Sequence, residues 1–352
     1  MTEEKNLPFG QWRLAGDRAD NRELSNKEYA QKRITLECKP EITAIESTNH
    51  CNIKCIMCPR GEPDIMTREV GHMEKSTLET VLQKGVMYAE PTWLHWFGEP
   101  LMNPTFFENV AMAKKKIKNL GISTNATLLN DKNQERLLDS GLDTMIIAID
   151  GDTKDVYERV RKSARFTFEH VVGNAEGFLR KKRERGQSTP YTILSIIIMK
   201  ETENDAERFK EHWLAQGADE VIFKPFENWG GQSSDVFNSL AREDEQPRLG
   251  SLRKYPCKML WEGFHVAWDG KVVPCCYDYD AKLVLGDLKT QTIDEIWNGP
   301  KYKEVRQAEL EGRNFEGPCA SCSLAPGWDT RKQRGEVFNL VDKLKRRLGF
   351  VT

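Results

Sequence analysis

Cys51, Cys55 and Cys58 stand in the run Cys-Asn-Ile-Lys-Cys-Ile-Met-Cys, and their number matters as much as their spacing. The pattern C-x3-C-x2-C supplies three thiolates and no fourth. A structural zinc site closes a tetrahedral set, and a simple electron-transfer iron–sulfur cluster takes four cysteines. Three ligands would leave one iron of a [4Fe–4S] cluster open to hold something else. A second group, Cys257, Cys275, Cys276, Cys319 and Cys322, lies in the last third of the chain, and Cys38 stands alone. Nine cysteines behind an N-terminus with no secretory pattern read as ligands and buried thiols rather than disulfides.

Elements that could position the first trio are legible around it. Short β-type runs fall at residues 42–48, 93–98, 121–125, 145–150, 192–199 and 221–226. Segments of helical period lie between them, at 77–87, 106–116, 133–139, 168–183 and 205–215. Alternation of apolar strands with helices predicts an α/β fold with a parallel sheet. Six units suggest a partial (βα)6 TIM-like barrel, with its chemistry at the C-terminal ends of the strands. The cysteine trio follows strand 1, Gly98-Glu99-Pro100 follows strand 2, Thr124 and Asn125 close strand 3, and Asp150 closes strand 4. Polar residues at single strand ends can be plain turn chemistry; four successive ends beside three cysteines point to a site.

The expected organisation is an N-terminal extension over 1–40, the barrel over 41–231, a polar linker over 232–256, a small domain over 257–330 and a C-terminal helix over 331–352. Phe264 to Trp268, Asp269-Gly270 and Lys271 to Pro274 predict a hairpin in the small domain. Charge is nearly balanced, with 52 basic and 54 acidic residues, which argues against a nucleic-acid protein. No apolar run is long enough to cross a bilayer. The chain reads as cytoplasmic, with no membrane partner.

C-x3-C-x2-C after a first strand, followed by Phe97-Gly98-Glu99-Pro100, resembles the radical S-adenosylmethionine (SAM) enzymes over residues 40 to 230. The resemblance implies that Cys51, Cys55 and Cys58 hold a [4Fe–4S] cluster whose open iron takes the amino and carboxylate groups of SAM. Reductive cleavage of SAM then gives a 5′-deoxyadenosyl radical, the cofactor supplying the hard chemistry. An electron donor such as flavodoxin or ferredoxin is implied as partner. Gly98, Glu99 and Pro100 resemble the family's G-G-E-P stretch at the SAM amino group, with Phe97 in place of the first glycine. Thr124 and Asn125 match positions near the SAM carboxylate or substrate, and Asp150 a position near the SAM ribose. Arg161, with Arg159 as competitor, matches an arginine that forks onto the SAM carboxylate.

Cys257, Gly270, Cys275 and Cys319-Ala320-Ser321-Cys322 resemble the start of a SPASM auxiliary-cluster domain. With no cysteine past Cys322, the shorter twitch form is implied, one auxiliary [4Fe–4S] cluster on Cys257, Cys275, Cys319 and Cys322. Cys276 could exchange with Cys275. Four thiolates would serve zinc as well, so a metal-stabilised binding module stays open as the non-enzymatic reading.

The cysteine layout is similar to that of radical SAM dehydrogenases of the 2-deoxy-scyllo-inosamine type. That resemblance implies an oxidoreductase acting on a hydroxylated carbon of a sugar or cyclitol-like small molecule, its electron passing to the auxiliary cluster. Sugar decarboxylases, epimerases and ribosomal-peptide-modifying enzymes are the alternatives. For the proton acceptor, Lys200, Glu227, His95 and Tyr277 are candidates.

Overall fold

The computed structural model describes residues 17–62, 64–85, 87–227, 229–232, 239–242, 256–313 and 316–322. Six parallel strands run in sequence order: β1 (Glu41–Ile45), β2 (Tyr88–Trp93), β3 (Leu120–Thr124), β4 (Thr144–Ala148), β5 (Tyr191–Ile198) and β6 (Glu220–Pro225). Helices α2 (Lys75–Lys84), α3 (Phe106–Ala113), α4 (Asp131–Asp139), α5 (Lys154–Arg161), α6 (Phe168–Glu184) and α7 (Ala206–Ala215) return the chain between them. Met145, Ile147, Ile193, Leu194 and Ile196 are wholly buried. Adjacent residues of one strand point to opposite faces, so this sheet is covered on both, as parallel sheets require. This is the expected partial (βα)6 barrel.

Caps explain where several helices begin. Asn130 accepts from the Asn133 N–H, Thr153 from Val156 and Thr167 from His170, each satisfying an otherwise orphaned donor. Helix α5 lies over residues that the periodic pattern left unassigned. It ends at Lys162, whose left-handed φ of 40° stops the helix.

The second strand differs from expectation. It covers Tyr88–Trp93, not 93–98. Glu90 and Pro91 make the true strand look like a breaker in sequence, while the aromatic run after it looks β-like. Leu94 still donates to Gly121 O at 2.8 Å and sits in the core, whereas Phe97 leaves the ladder and lines the mouth of the barrel.

The hairpin is present: β7 (Gly263–Val266) and β8 (Lys271–Val273) pair antiparallel, and β9 (Gly286–Asp287) joins β8. Its position is the part no local pattern gives. β7 lies parallel to β1, so one nine-stranded sheet runs β6-β5-β4-β3-β2-β1-β7-β8-β9. Thr43 sits at a register irregularity on β1. Its hydroxyl donates to Phe264 O at 2.9 Å and is 2.9 Å from His265 Nδ1.

Two more helices, α8 (Ile293–Trp297) and α9 (Pro300–Glu311), pack behind this extension. A capping box of Thr292 and Glu295 opens α8. Within the expected extension, α1 (Asp17–Ala30) is an ordered helix, fixed by Arg18 and Arg22 on Glu41 and by Ser25 Oγ on Trp261 O. The expected C-terminal helix and most of the expected linker lie outside the described residues. No helix among the described residues is long and apolar enough to cross a membrane.

Candidate active site

A cavity of about 180 Å³ opens at the C-terminal ends of the strands. Cys51, Cys55 and Cys58 line one side; Gly98, Thr124, Asn125, Asp150 and Arg161 also line it. Strand ends four elements apart thus meet as the sequence reading expects, although β2 stops five residues before Gly98 and β4 two before Asp150.

Gly98 is held where only glycine fits. Its φ is +82°, and a Cβ there would lie 2.5 Å from His50 O and 2.7 Å from Thr48 O. The strand-2 segment therefore presses backbone to backbone on the segment leading into the cysteines. Phe97, beside it, packs in an aromatic group with Trp229 (5.4 Å) and Tyr279 (6.2 Å). Glu99 is buried and lies behind the cavity wall. Its Oε1 accepts from Thr124 Oγ1 at 2.8 Å, and its Oε2 accepts from the Asn125 N–H at 2.7 Å. Burial raises its carboxyl to about 7, against the lowering effect of these donors.

Arg161, at the end of α5, is already engaged. Its Nη2 is 2.6 Å from Asp150 Oδ2, its Nη1 donates to Cys55 Sγ at 3.3 Å and its Nε to Ile149 O at 3.2 Å. Asp150 also accepts from the Ile197 N–H at 2.7 Å. The pair therefore ties the ends of β4 and β5 to the cysteine loop.

The donor set suits an iron–sulfur cluster. Burial pushes Cys51 and Cys58 up to about 12, and Cys55 is raised as well, with Arg161 acting in the opposite direction. Three buried thiolates would be far from compensated by one guanidinium, whereas a cationic iron core neutralises its own ligands. Among the described residues no three His, Cys, Asp or Glu side chains converge as a single ion would need. A closed structural zinc site wants a fourth ligand, whereas a cluster can be held by three cysteines with one iron left open, so the three-cysteine set agrees with a cluster better than with zinc.

The second cysteine group is also assembled. Cys275 lies within electrostatic reach of Cys276, Cys257 and Cys319, and Cys276 of Glu227, Cys322 and Cys257. Cys257 N–H donates to Glu309 Oε2 at 2.9 Å. Cys38 is elsewhere, buried under Trp261, its thiol pushed up to about 12 by burial. Trp229, after β6, lies between the two groups. Its Nε1 donates to Met57 O in the first cysteine loop at 3.0 Å, and its ring is 6.3 Å from that of Tyr277.

The four proton-acceptor candidates separate. His95 lines the cavity. Lys200 is exposed, two residues past β5, with Nζ toward Ser239 O. Glu227 and Tyr277 stand beside Cys276. The cavity also contains residues the sequence reading missed: Ser195 on β5 and Lys224 on β6. A lysine between Phe223 and Pro225, at the C-terminal end of the apolar run Val221–Phe223, was the available signal.

Residues 45–212 match the radical SAM superfamily model, and residues 257–323 match SPASM, an iron–sulfur cluster-binding domain. The chain belongs to the radical SAM enzymes and carries a SPASM domain, with SAM and a [4Fe–4S] cluster as the family's cofactors. Its relatives divide by substrate. The chain is 22% identical over 81% of its length, and 88% of the relative's, to the tungsten-containing aldehyde ferredoxin oxidoreductase cofactor-modifying protein of Pyrococcus furiosus. It is 21% identical to the S-adenosyl-L-methionine-dependent 2-deoxy-scyllo-inosamine dehydrogenase of Niallia circulans, over 79% of this chain and 91% of that one. PqqA peptide cyclase of Gluconobacter oxydans is 21% identical over 82% and 84%. In fold, the chain is similar to Streptococcus suis SuiB bound to precursor peptide SuiA, with TM-score 0.59, 14% identity and coverage of 88% and 76%. It is also similar to anSMEcpe with bound AdoMet, with TM-score 0.55, 16% identity and coverage of 87% and 100%.

Proposed function

We propose that this chain is a radical SAM oxidoreductase that oxidises a hydroxylated carbon of a sugar or cyclitol-like small molecule. When bound at Cys51, Cys55 and Cys58, the cluster with SAM supplies a hydrogen-abstracting radical, and a second cluster at Cys257, Cys275, Cys319 and Cys322 an electron sink. The chain's own residues bind, orient and exclude water. Gly98 brings backbone against the cysteine loop, Asn125 Nδ2 approaches Cys51 Sγ at 3.8 Å, and Arg161 holds Cys55 and Asp150 together. Glu99 fixes Thr124 and Asn125 on the cavity wall. Roles for Gly98, Glu99, Pro100, Thr124, Asn125, Asp150 and Arg161 at SAM follow from the family pattern and from their convergence.

The observation that carries the small-molecule reading is the lining of the cavity. Beyond the cysteines, Ser123, Asp150, Arg161, Ser195 and Lys224 converge at the strand ends on an otherwise largely apolar wall, the pattern of a few placed polar groups that small-ligand sites present. The relative that acts as a dehydrogenase supports the same reading. A cytoplasmic location and a flavodoxin- or ferredoxin-type donor belong to this proposal.

The test is anaerobic reconstitution with SAM and a chemical reductant. We expect about eight iron per chain, in keeping with two four-iron clusters, with half of it lost in a Cys51/Cys55/Cys58 triple alanine variant. 5′-Deoxyadenosine should form with a polyol or sugar substrate. Iron unchanged in the triple variant, or 5′-deoxyadenosine formed only with peptides, would sink the proposal.

A further inference from the structure

The deep wall of the cavity carries Lys224, whose amine makes no hydrogen bond or close ion pair among the described residues; burial pushes its pKa down, and Asp150 is the nearby carboxylate that acts in the opposite direction. Lys224 lies on β6 directly opposite Ile197 of β5, and Ser195, two residues back on the same face of β5, stands opposite Ile222. Both Ser195 and Lys224 line the cavity, as does His95 beyond β2. Neighbouring residues of one face on adjacent strands make a diagonal pair within reach of one bound group.

Each of these three polar side chains is left unfinished by the protein. Ser195 is 1% exposed, and its hydroxyl makes no hydrogen bond. The buried Nδ1 of His95 has none either. Among the described residues no carboxylate is ion-paired with Lys224. Leaving a buried polar group unsatisfied is costly, so unsatisfied groups converging on a cavity mark a ligand.

The charge balance of the lining tells what kind of ligand. Arg60, Arg161 and Lys224 are cationic, and Asp150 alone is anionic. Asp150 is already committed to Arg161 at 2.6 Å and to the Ile197 N–H at 2.7 Å. Arg161 is turned to Cys55. Among the described residues Arg60 and Lys224 are therefore the lining cations without an ion pair, and Lys224 is the one on the wall that carries Ser195, with His95 close enough to feel its charge.

We propose that Lys224, Ser195 and His95 form the anchor for an anionic oxygen group, carboxylate or phosphate, on the substrate. Lys224 supplies the charge, and Ser195 and His95 supply hydrogen bonds that fix the orientation. A substrate held by its acidic end at this wall would direct its remaining carbons toward the cysteine side of the cavity. This inference rests on reading the cavity as a small-molecule site and narrows that reading from polyols in general to acidic ones.

The test measures binding, so it does not depend on turnover. Reconstituted full-length protein with SAM is titrated with glucuronate, glucose 6-phosphate and glucose. At least one acidic probe should bind and glucose should not, the two acids separating carboxylate from phosphate. Lys224→Met should weaken the acidic probe by about 10- to 100-fold, as loss of a charged hydrogen bond does. Lys224→Arg should restore most of it, and Ser195→Ala should cause a smaller loss. SAM affinity and iron content, measured on the same variants, should not change. Weakened SAM binding in Lys224→Met would mean that the lysine holds SAM itself and would overturn the proposal. So would equal binding of glucose, no binding of either acid, or acid binding unaffected in Lys224→Met. If acids bind as expected but no sugar supports 5′-deoxyadenosine formation, the reaction reading fails while the anchor stands.

Discussion

Arg68 closes on Glu46 with both terminal nitrogens, at 2.6 and 2.5 Å, on a carboxylate that is wholly buried. The same guanidinium donates through Nε to Tyr279 O at 2.7 Å and lies 4.8 Å over the Trp96 ring. Next to it, Asp280 accepts from the N–H groups of Thr67 and Arg68. The segment after the first cysteines is thus bound both to the end of β1 and to the loop after Cys275 and Cys276.

Removing one member of this pair should be severe. Arg68→Met leaves the Glu46 carboxylate buried without its partner, which costs about 3–5 kcal/mol. Arg68→Met combined with Glu46→Leu should recover part of that loss, because two apolar groups leave no stranded charge. Denaturant unfolding of the four proteins in a double-mutant cycle measures the coupling. Simple additivity would show that the pair is not coupled.

Gly98→Ala should be destabilising in spite of adding only a methyl. The left-handed backbone at +82° and the carbonyls at 2.5 and 2.7 Å predict a cost of about 1–3 kcal/mol. SAM affinity should fall with it, since His50 and Thr48 lead directly into Cys51. Equilibrium dialysis with SAM and a thermal melt check both effects.

Cys275 and Cys276 should differ. Cys275 is surrounded by Cys276, Cys257 and Cys319, whereas the strongest charged neighbour of Cys276 is Glu227. Cys275→Ala should lose about four iron per chain, one cluster's worth, and Cys276→Ala should lose none. Iron and sulfide analysis of the two variants decides it; loss in Cys276→Ala alone would exchange the assignment.

A pH effect is expected at the N-terminal helix. Burial raises the carboxyl of Glu28, but the N–H groups of Glu37 and Cys38, at 2.8 and 3.0 Å, and Arg33 outweigh it, so its net pKa lies below the usual value. A depressed carboxylate stabilises the fold fully above its unfolded pKa of about 4.3. That contribution is lost as pH falls through the lower folded value. Glu28→Gln should flatten the acid limb of stability below about pH 4, and leave the slope near neutrality unchanged. Unfolding midpoints across pH 3 to 7 test it.

Much of the site could be read locally. Three cysteines with spacings of three and two residues spell out the proposed open-iron donor set wherever the chain goes, and strand–helix alternation predicts the barrel mouth at which they lie. The strand-2 boundary failed because Pro91 and Glu90 obscured a strand that tertiary pairing enforces. Phe97 stands where the resembled stretch has its first glycine, yet the positive φ falls on Gly98, and Phe97 packs against Trp229.

The sequence by itself determined the spacing of the proposed donor set, the alternation of elements and the turn chemistry at Asp269-Gly270, because each depends on residues a few positions apart. Only the tertiary structure decided that β7 pairs with β1, more than 200 residues away by register. The same holds for Trp229 on the cysteine loop, and for Lys224, Ser195 and His95 on one wall. Those relations depend on burial and on which strand ends meet around a barrel. No local spacing encodes them.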